Sequence, residues 1–91
     1  MRIRQTRRAA AQIAALPASA RAELLARLRE APGVFGRPHP HAGLGLRQLK
    51  RGCYEVRAGL GVRAVLLREG DDLVVTLVGD HNDVRRWLKQ G

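Results

Sequence analysis

The sequence predicts an α+β domain: an N-terminal helical hairpin packed on a small antiparallel sheet of three to four strands, with a short C-terminal helix. Three observations carry this. Apolar residues in the first third recur at helical spacing. From Leu46 the pattern changes to alternation. Leu73–Val78 is then an almost uninterrupted β-branched and apolar run, punctuated by Gly79-Asp80. At 91 residues, the chain has the size of one domain, residues 1–91. No repeat, low-complexity tract or internal linker divides it.

Each element has its own warrant. In Met1–Thr6, Ile3 can sit in an edge strand. Arg7–Leu16 places Ala10, Ile13, Ala14 and Leu16 at near-helical spacing. Pro17 ends that helix or opens the next. Ser19 is the expected N-cap of the second helix, with Glu23 in its first turn, where the helix dipole favours an anion. Leu24, Leu25, Leu28 and Ala31 form its apolar stripe, Arg21, Arg27 and Arg29 face outward, and Pro32-Gly33 stops it. Val34–Gly45 reads as a loop. Tyr54, Val56 and Ala58 then alternate with Cys53, Glu55 and Arg57, as in a half-buried strand. Gly59-Leu60-Gly61 is a tight turn, Val62–Arg68 a strand, and Glu69-Gly70-Asp71-Asp72 a second turn. Leu73–Val78 is the expected central strand. Asn82-Asp83 can cap a final helix with Val84, Trp87 and Leu88 on one side.

Composition narrows the function classes. The chain is 45% apolar, which excludes intrinsic disorder. Aromatics are 3%, only Phe35, Tyr54 and Trp87, which argues against the stacking platforms of single-strand binders. One cysteine, Cys53, rules out an internal disulfide framework and a cysteine-rich zinc site, and fits a reducing cytoplasm. Cys53 reads as a small buried hydrophobe and not as a nucleophile. No apolar run approaches the roughly 20 residues of a membrane span, so no membrane partner is expected. His39-Pro-His41 offers two ligands without a third in register, so no metal site and no cofactor are expected.

The formal charge is +9. Residues 1–30 hold seven Arg against two Glu, and residues 31–63 hold six basic groups against Glu55. Residues 64–91 hold four basic groups against five acidic. The positive field therefore belongs to the first two thirds and suits a polyanion or an acidic protein. Arginine dominates, and its planar donor fork matches phosphate and carboxylate.

Three stretches in order carry a resemblance. They are "ALPASARAELLARL" (Ala15–Leu28), "LRQLKRGCYEVRAGLGVRAVLL" (Leu46–Leu67) and "LVVTLVGDHNDVRRWL" (Leu73–Leu88). Together they span nearly the whole chain, which resembles the RelE/ParE superfamily of bacterial type II toxins. The resemblance implies a compact cytoplasmic toxin neutralised by a cognate antitoxin encoded beside it. The RelE branch cleaves messenger RNA in the ribosomal A site. The ParE branch poisons DNA gyrase and is not a nuclease. A third alternative is a non-toxic basic module that binds nucleic acid or an antitoxin.

RNA cleavage of the implied kind uses the substrate's own 2′-hydroxyl, so it needs a base, cations for the developing charge and an acid for the 5′ oxygen. The resemblance points to Arg57 and Arg63 as clamps on the scissile phosphate. Glu55 shares a strand face with Arg57, and is either a base or a surface ion-pair partner for it. His81 stands where the family places an acid, a base or an arginine, and imidazole titrates near neutrality. Arg47, Lys50 and Arg51 suit RNA backbone contacts, or the acidic part of an antitoxin. Arg2, Arg4, Arg7 and Arg8 form a second basic cluster with the same two readings. Arg85 replaces the family's C-terminal tyrosine and can itself stack on a base. Val62 replaces the usual tyrosine before Arg63, and the family's lysine cluster is missing. Arg57, Arg63, Lys50 and His81 favour the RelE-like nuclease as the first reading; these departures weaken it and are what the ParE-like alternative draws on.

Overall fold

The computed structural model describes residues 1–35 and 45–90. The two histidines of His39-Pro-His41 lie outside the described residues. The elements are β1 (Arg2–Gln5), α1 (Arg7–Ala14), α2 (Ala18–Val34), β2 (Leu46–Lys50), β3 (Cys53–Ala58), β4 (Val62–Glu69), β5 (Asp72–Gly79) and α3 (His81–Gln90). The α+β class holds, with a larger sheet than expected. It has five strands in the order β1-β5-β4-β3-β2. β1 pairs parallel to β5 and the other pairs are antiparallel, so the sheet is mixed. Two helices and three strands separate β1 from β5 along the chain, so no tight hairpin holds that pair antiparallel. β5 is an interior strand, and the middle position belongs to β4.

Thr6, outside the expected caps, accepts the Ala9 N–H at the start of α1. Ala9 and Ile13 are its buried residues, while Ala14 faces out. Pro17, not Ser19, is the N-cap position of α2, so Glu23 falls beyond the first turn. Its carboxylate instead accepts the Gly59 N–H at 3.2 Å, tying α2 to the β3–β4 turn. Gly59 has φ of 63°, a conformation that favours glycine. Pro32 does not end α2, which continues to Val34. Leu24, Leu28 and Ala31 are buried as expected. Arg29 is exposed, whereas Arg21 and Arg27 are half-buried. Arg27 lies 3.6 Å from Glu23.

The core has two parts, one on each sheet face. The face beneath α1 and α2 buries Leu46, Val56, Ala58, Ala64, Leu66, Leu73, Val75 and Val78. Tyr54 packs at its margin, edge-on to Phe35 with ring centroids 4.8 Å apart. The opposite face buries Cys53, Val65 and Leu77 under Val84, with Trp87 and Leu88 alongside. The β4–β5 register shifts after Val65. Thr76 is left over there, and its hydroxyl donates to the Val65 carbonyl at 3.3 Å. This bulge reverses the alternation. Leu73 and Val75 point to one core, Leu77 to the other, and Val78 back to the first. The nearly continuous apolar run in β5 reflects cover on both faces, by α1 and α2 on one and α3 on the other.

α3 is capped reciprocally. Asp80 Oδ1 accepts the Asp83 N–H and Asp83 Oδ2 accepts the Asp80 N–H, each at 2.8 Å. The cap is thus Asp80 with Asp83, where the sequence suggested Asn82 with Asp83. A Cβ on Gly79 would run into the Asp83 side chain, so this corner requires glycine.

Candidate functional site

Strand alternation sorts the predicted residues. Cys53, Glu55 and Arg57 of β3 share a face with Arg63, Val65 and Leu67 of β4, the face that carries α3. Glu55 is opposite Val65, and Arg57 is directly opposite Arg63. On the outer side of β3, Arg47 of β2 is opposite Glu55. α3 packs mainly on β4 and β5, and its Trp87 and Leu88 extend the apolar cluster to Cys53 of β3 and Leu49 of β2.

The geometry of this cluster is specific. Glu55 is 0% exposed and is the only buried charged residue among those described. Arg63 NH1 donates to Glu55 Oε1 at 3.0 Å, and Arg47 Nε donates to the same oxygen at 3.1 Å. The Arg63 side chain is 18% exposed and that of Arg47 60% exposed. Glu55 Oε2 is buried with no hydrogen-bond partner. The expected surface pair between Glu55 and Arg57 is therefore replaced by a buried carboxylate held by Arg63 and Arg47. Arg57 itself is exposed.

Two guanidiniums opposite each other on neighbouring strands repel, and facing like charges destabilise a sheet. Cβ atoms of such a pair stand about 4.5–5.5 Å apart. Glu55 pairs with Arg47 and Arg63, and with exposed Arg57 opposite Arg63 the three arginines outnumber the one carboxylate by two positive charges. That arrangement suits a monoanionic or dianionic oxygen ligand bridging Arg57 and Arg63.

The remaining predicted residues spread outward. Gly79 is the register partner of Arg63, and His81 begins α3 two residues later, exposed. The chain thus brings His81 to the sheet end that holds Arg57 and Arg63. Lys50 and Arg51 lie at the other end, by the β2–β3 turn, and both are exposed. Lys50 also lies over Trp87, 5.5 Å from the ring centroid. Arg85 is exposed on α3. In the N-terminal cluster, Arg4 and Arg2 pair with Asp72 at 2.9 and 3.4 Å.

Three groups are shifted by their surroundings. Burial pushes the Cys53 thiol up, opposed by the charge of Lys50. The thiol thus stays protonated, in keeping with a core residue. The hydrogen bond from Arg2, then the charges of Arg2 and Arg4, hold Asp72 below the usual carboxylate range. The Asp80 backbone N–H, with Arg86 behind it, does the same for Asp83. Arg86 and Asp83 form an ion pair one helical turn apart.

Sequence reasoning missed the coupling of Arg47 to Glu55. Leu49 is an extra residue where the β2–β3 register shifts between Gln48 and Lys50. No local spacing announces the register beyond that irregularity. The available signal was weak: Glu55 is the one acid among the basic groups of residues 31–63.

No family model matches the chain, and no curated protein matches it in sequence. A solved structure is similar: that of the conserved hypothetical protein HP0894 from Helicobacter pylori. The TM-score is 0.56 at 16% identity, over 90% of this chain and 96% of that one. This is a likeness of fold. Among the described residues, no helix is long and apolar enough to cross a membrane.

Proposed function

We propose that this chain is the toxin of a type II toxin–antitoxin pair, acting in the cytoplasm as a ribosome-dependent mRNA endoribonuclease of the RelE branch. One observation carries the reading: Arg57 and Arg63 stand opposite each other on a sheet face beside a buried carboxylate. An enzyme whose nucleophile is the substrate's own 2′-hydroxyl needs such a cationic cradle, an acceptor for the hydroxyl proton and a donor to the leaving oxygen. The 2′ oxygen gives its proton to a solvent water and attacks the adjacent phosphorus. The bond to the 5′ oxygen breaks, and a 2′,3′-cyclic phosphate forms. Arg57 and Arg63 hold the phosphate oxygens as charge builds on them, and His81, at the same end of the sheet, protonates the departing 5′ oxygen. Arg47, Lys50, Arg51 and Arg85 supply further contacts to RNA. The likeness to HP0894 supports the fold of this reading and says nothing of its chemistry.

Induced expression should halt protein synthesis and leave codon-dependent cuts in mRNA. Arg57→Ala should abolish the cuts while the protein remains folded, because that side chain is exposed. Arg57 is the cleaner probe, since removing Arg63 strands a buried charge. A competing reading is a gyrase inhibitor of the ParE branch. It is favoured by Arg85 and Val62 at the places of the family's tyrosines. Intact mRNA together with blocked DNA supercoiling would establish that reading instead. For either branch, the +9 charge suits an acidic antitoxin, which should co-purify when the neighbouring gene is co-expressed.

A further inference from the structure

We infer that Glu55 is a positioning residue for Arg63 and Arg47 and not the proton acceptor of the cleavage reaction, an inference that rests on the nuclease reading above. A general base must come within hydrogen-bond reach of the proton it removes, about 2.6–3.2 Å between heavy atoms. Glu55 offers no such access. It is 0% exposed. Oε1 already accepts from two guanidiniums, at 3.0 and 3.1 Å. Oε2 is buried and faces no donor. A ribose hydroxyl reaches Oε1 only by displacing a guanidinium, and Oε2 only by moving the groups that bury it.

The same geometry defines what Glu55 does. Arg57 and Arg63 face each other across β3 and β4, so repulsion drives the two guanidiniums apart. Glu55, two residues before Arg57, lies diagonal to Arg63 and anchors it from below the surface. One of the five donors of Arg63 is spent on that anchor, and the others remain for a phosphate. On its other side, the same oxygen fixes Arg47 from β2. A single buried carboxylate therefore sets the orientation of cations from two strands, and the substrate meets them already placed.

The test compares wild type, Glu55→Gln and Glu55→Ala in two assays. The first is cleavage on programmed ribosomes, with kcat and KM followed across pH. The amide oxygen of Glu55→Gln still accepts from both arginines. That variant should lose less than about tenfold in kcat, because a lost general base costs about 10²–10⁴-fold. It should also keep the acid limb of the wild-type pH profile. Glu55→Ala should raise KM beyond Glu55→Gln. A loss of 10²–10⁴-fold in kcat for Glu55→Gln, with KM unchanged and the acid limb gone, would overturn the inference. The second assay needs no substrate: the Arg63 guanidinium resonances followed by NMR. They should be dispersed in wild type and Glu55→Gln, and collapse to the position of free arginine in Glu55→Ala. Unchanged resonances in Glu55→Ala would equally overturn it. Should Glu55→Ala not fold, Glu55→Gln alone decides. If wild type cuts no mRNA, the nuclease reading fails by itself, and the resonances still report whether Glu55 holds Arg63.

Discussion

Along β3 and β4, neighbouring residues serve opposite purposes on the two faces of the sheet. Val56, Ala58 and Ala64 point under α1 and α2 into a closed apolar core. One residue along, Glu55, Arg57 and Arg63 point the other way, where Glu55 pairs with Arg63 and Arg47, and Arg57 stands exposed opposite Arg63. Period-two alternation alone produces this split. The inner face supplies the burial that holds so small a domain together. That frees the end of the outer face to carry like charges side by side, an arrangement that opposes folding locally and is characteristic of sites kept for function.

The largest expected effect comes from unbalancing the outer face. Arg63→Ala leaves Glu55 buried with only Arg47, whose side chain is 60% exposed. Breaking a buried pair this way costs about 3–5 kcal/mol. Urea denaturation measures it, and a loss below about 1 kcal/mol, the range of surface pairs, would show that the two faces do not differ as described. Leu66→Ala on the inner face should cost a comparable ~2–5 kcal/mol through the cavity it leaves. Any folded fraction should still cleave RNA. Arg57→Ala is the converse: stability within about 0.5 kcal/mol of wild type, and cleavage gone. Leu66→Ala and Arg57→Ala therefore separate stability from activity, whereas Arg63→Ala lowers both.

Smaller effects sit at the corner where β5 turns into α3. Asp80→Ala removes half of the reciprocal cap and should cost about 0.5–2 kcal/mol. Asp72 and Asp83 are held below the ordinary carboxylate range. Their contribution is present above about pH 4, the unfolded value, and is lost as pH falls through the lower folded values. Thermal melts of wild type against Asp83→Asn should differ near neutrality and converge as the solution is acidified.

These contrasts also show what the sequence makes legible. Periodicity located α1, α2 and the strands from β3 onward, because Leu24, Leu28, Val56 and Ala58 each answer to a local repeat. It did not locate the β1–β5 pairing. Four residues with one half-buried apolar side chain, Ile3, say nothing about a partner 70 positions away. Arg57, Arg63 and His81 are singled out by residue type and by the resemblance, and alternation alone puts Glu55 and Arg57 on one face. The burial of Glu55 was not readable. It depends on Arg47 arriving across a register shift and on two guanidiniums covering the carboxylate, which are tertiary facts. The cap at Asp80, by contrast, was legible: Asp80 and Asp83 stand at the three-residue spacing of a reciprocal cap, and a reading centred on Asn82 passes over it.

The central claim is that Arg57 and Arg63 grip a phosphodiester which its own 2′-hydroxyl then breaks. The direct test places a single 2′-deoxynucleotide at the cleaved position of an mRNA bound in the ribosomal A site. The all-ribose message should be cut to a 2′,3′-cyclic phosphate end and the deoxy-substituted message should stay whole, with Arg57→Ala inactive on both. Cleavage of the deoxy-substituted linkage, or an Arg57→Ala protein that cuts as well as wild type, would contradict the account.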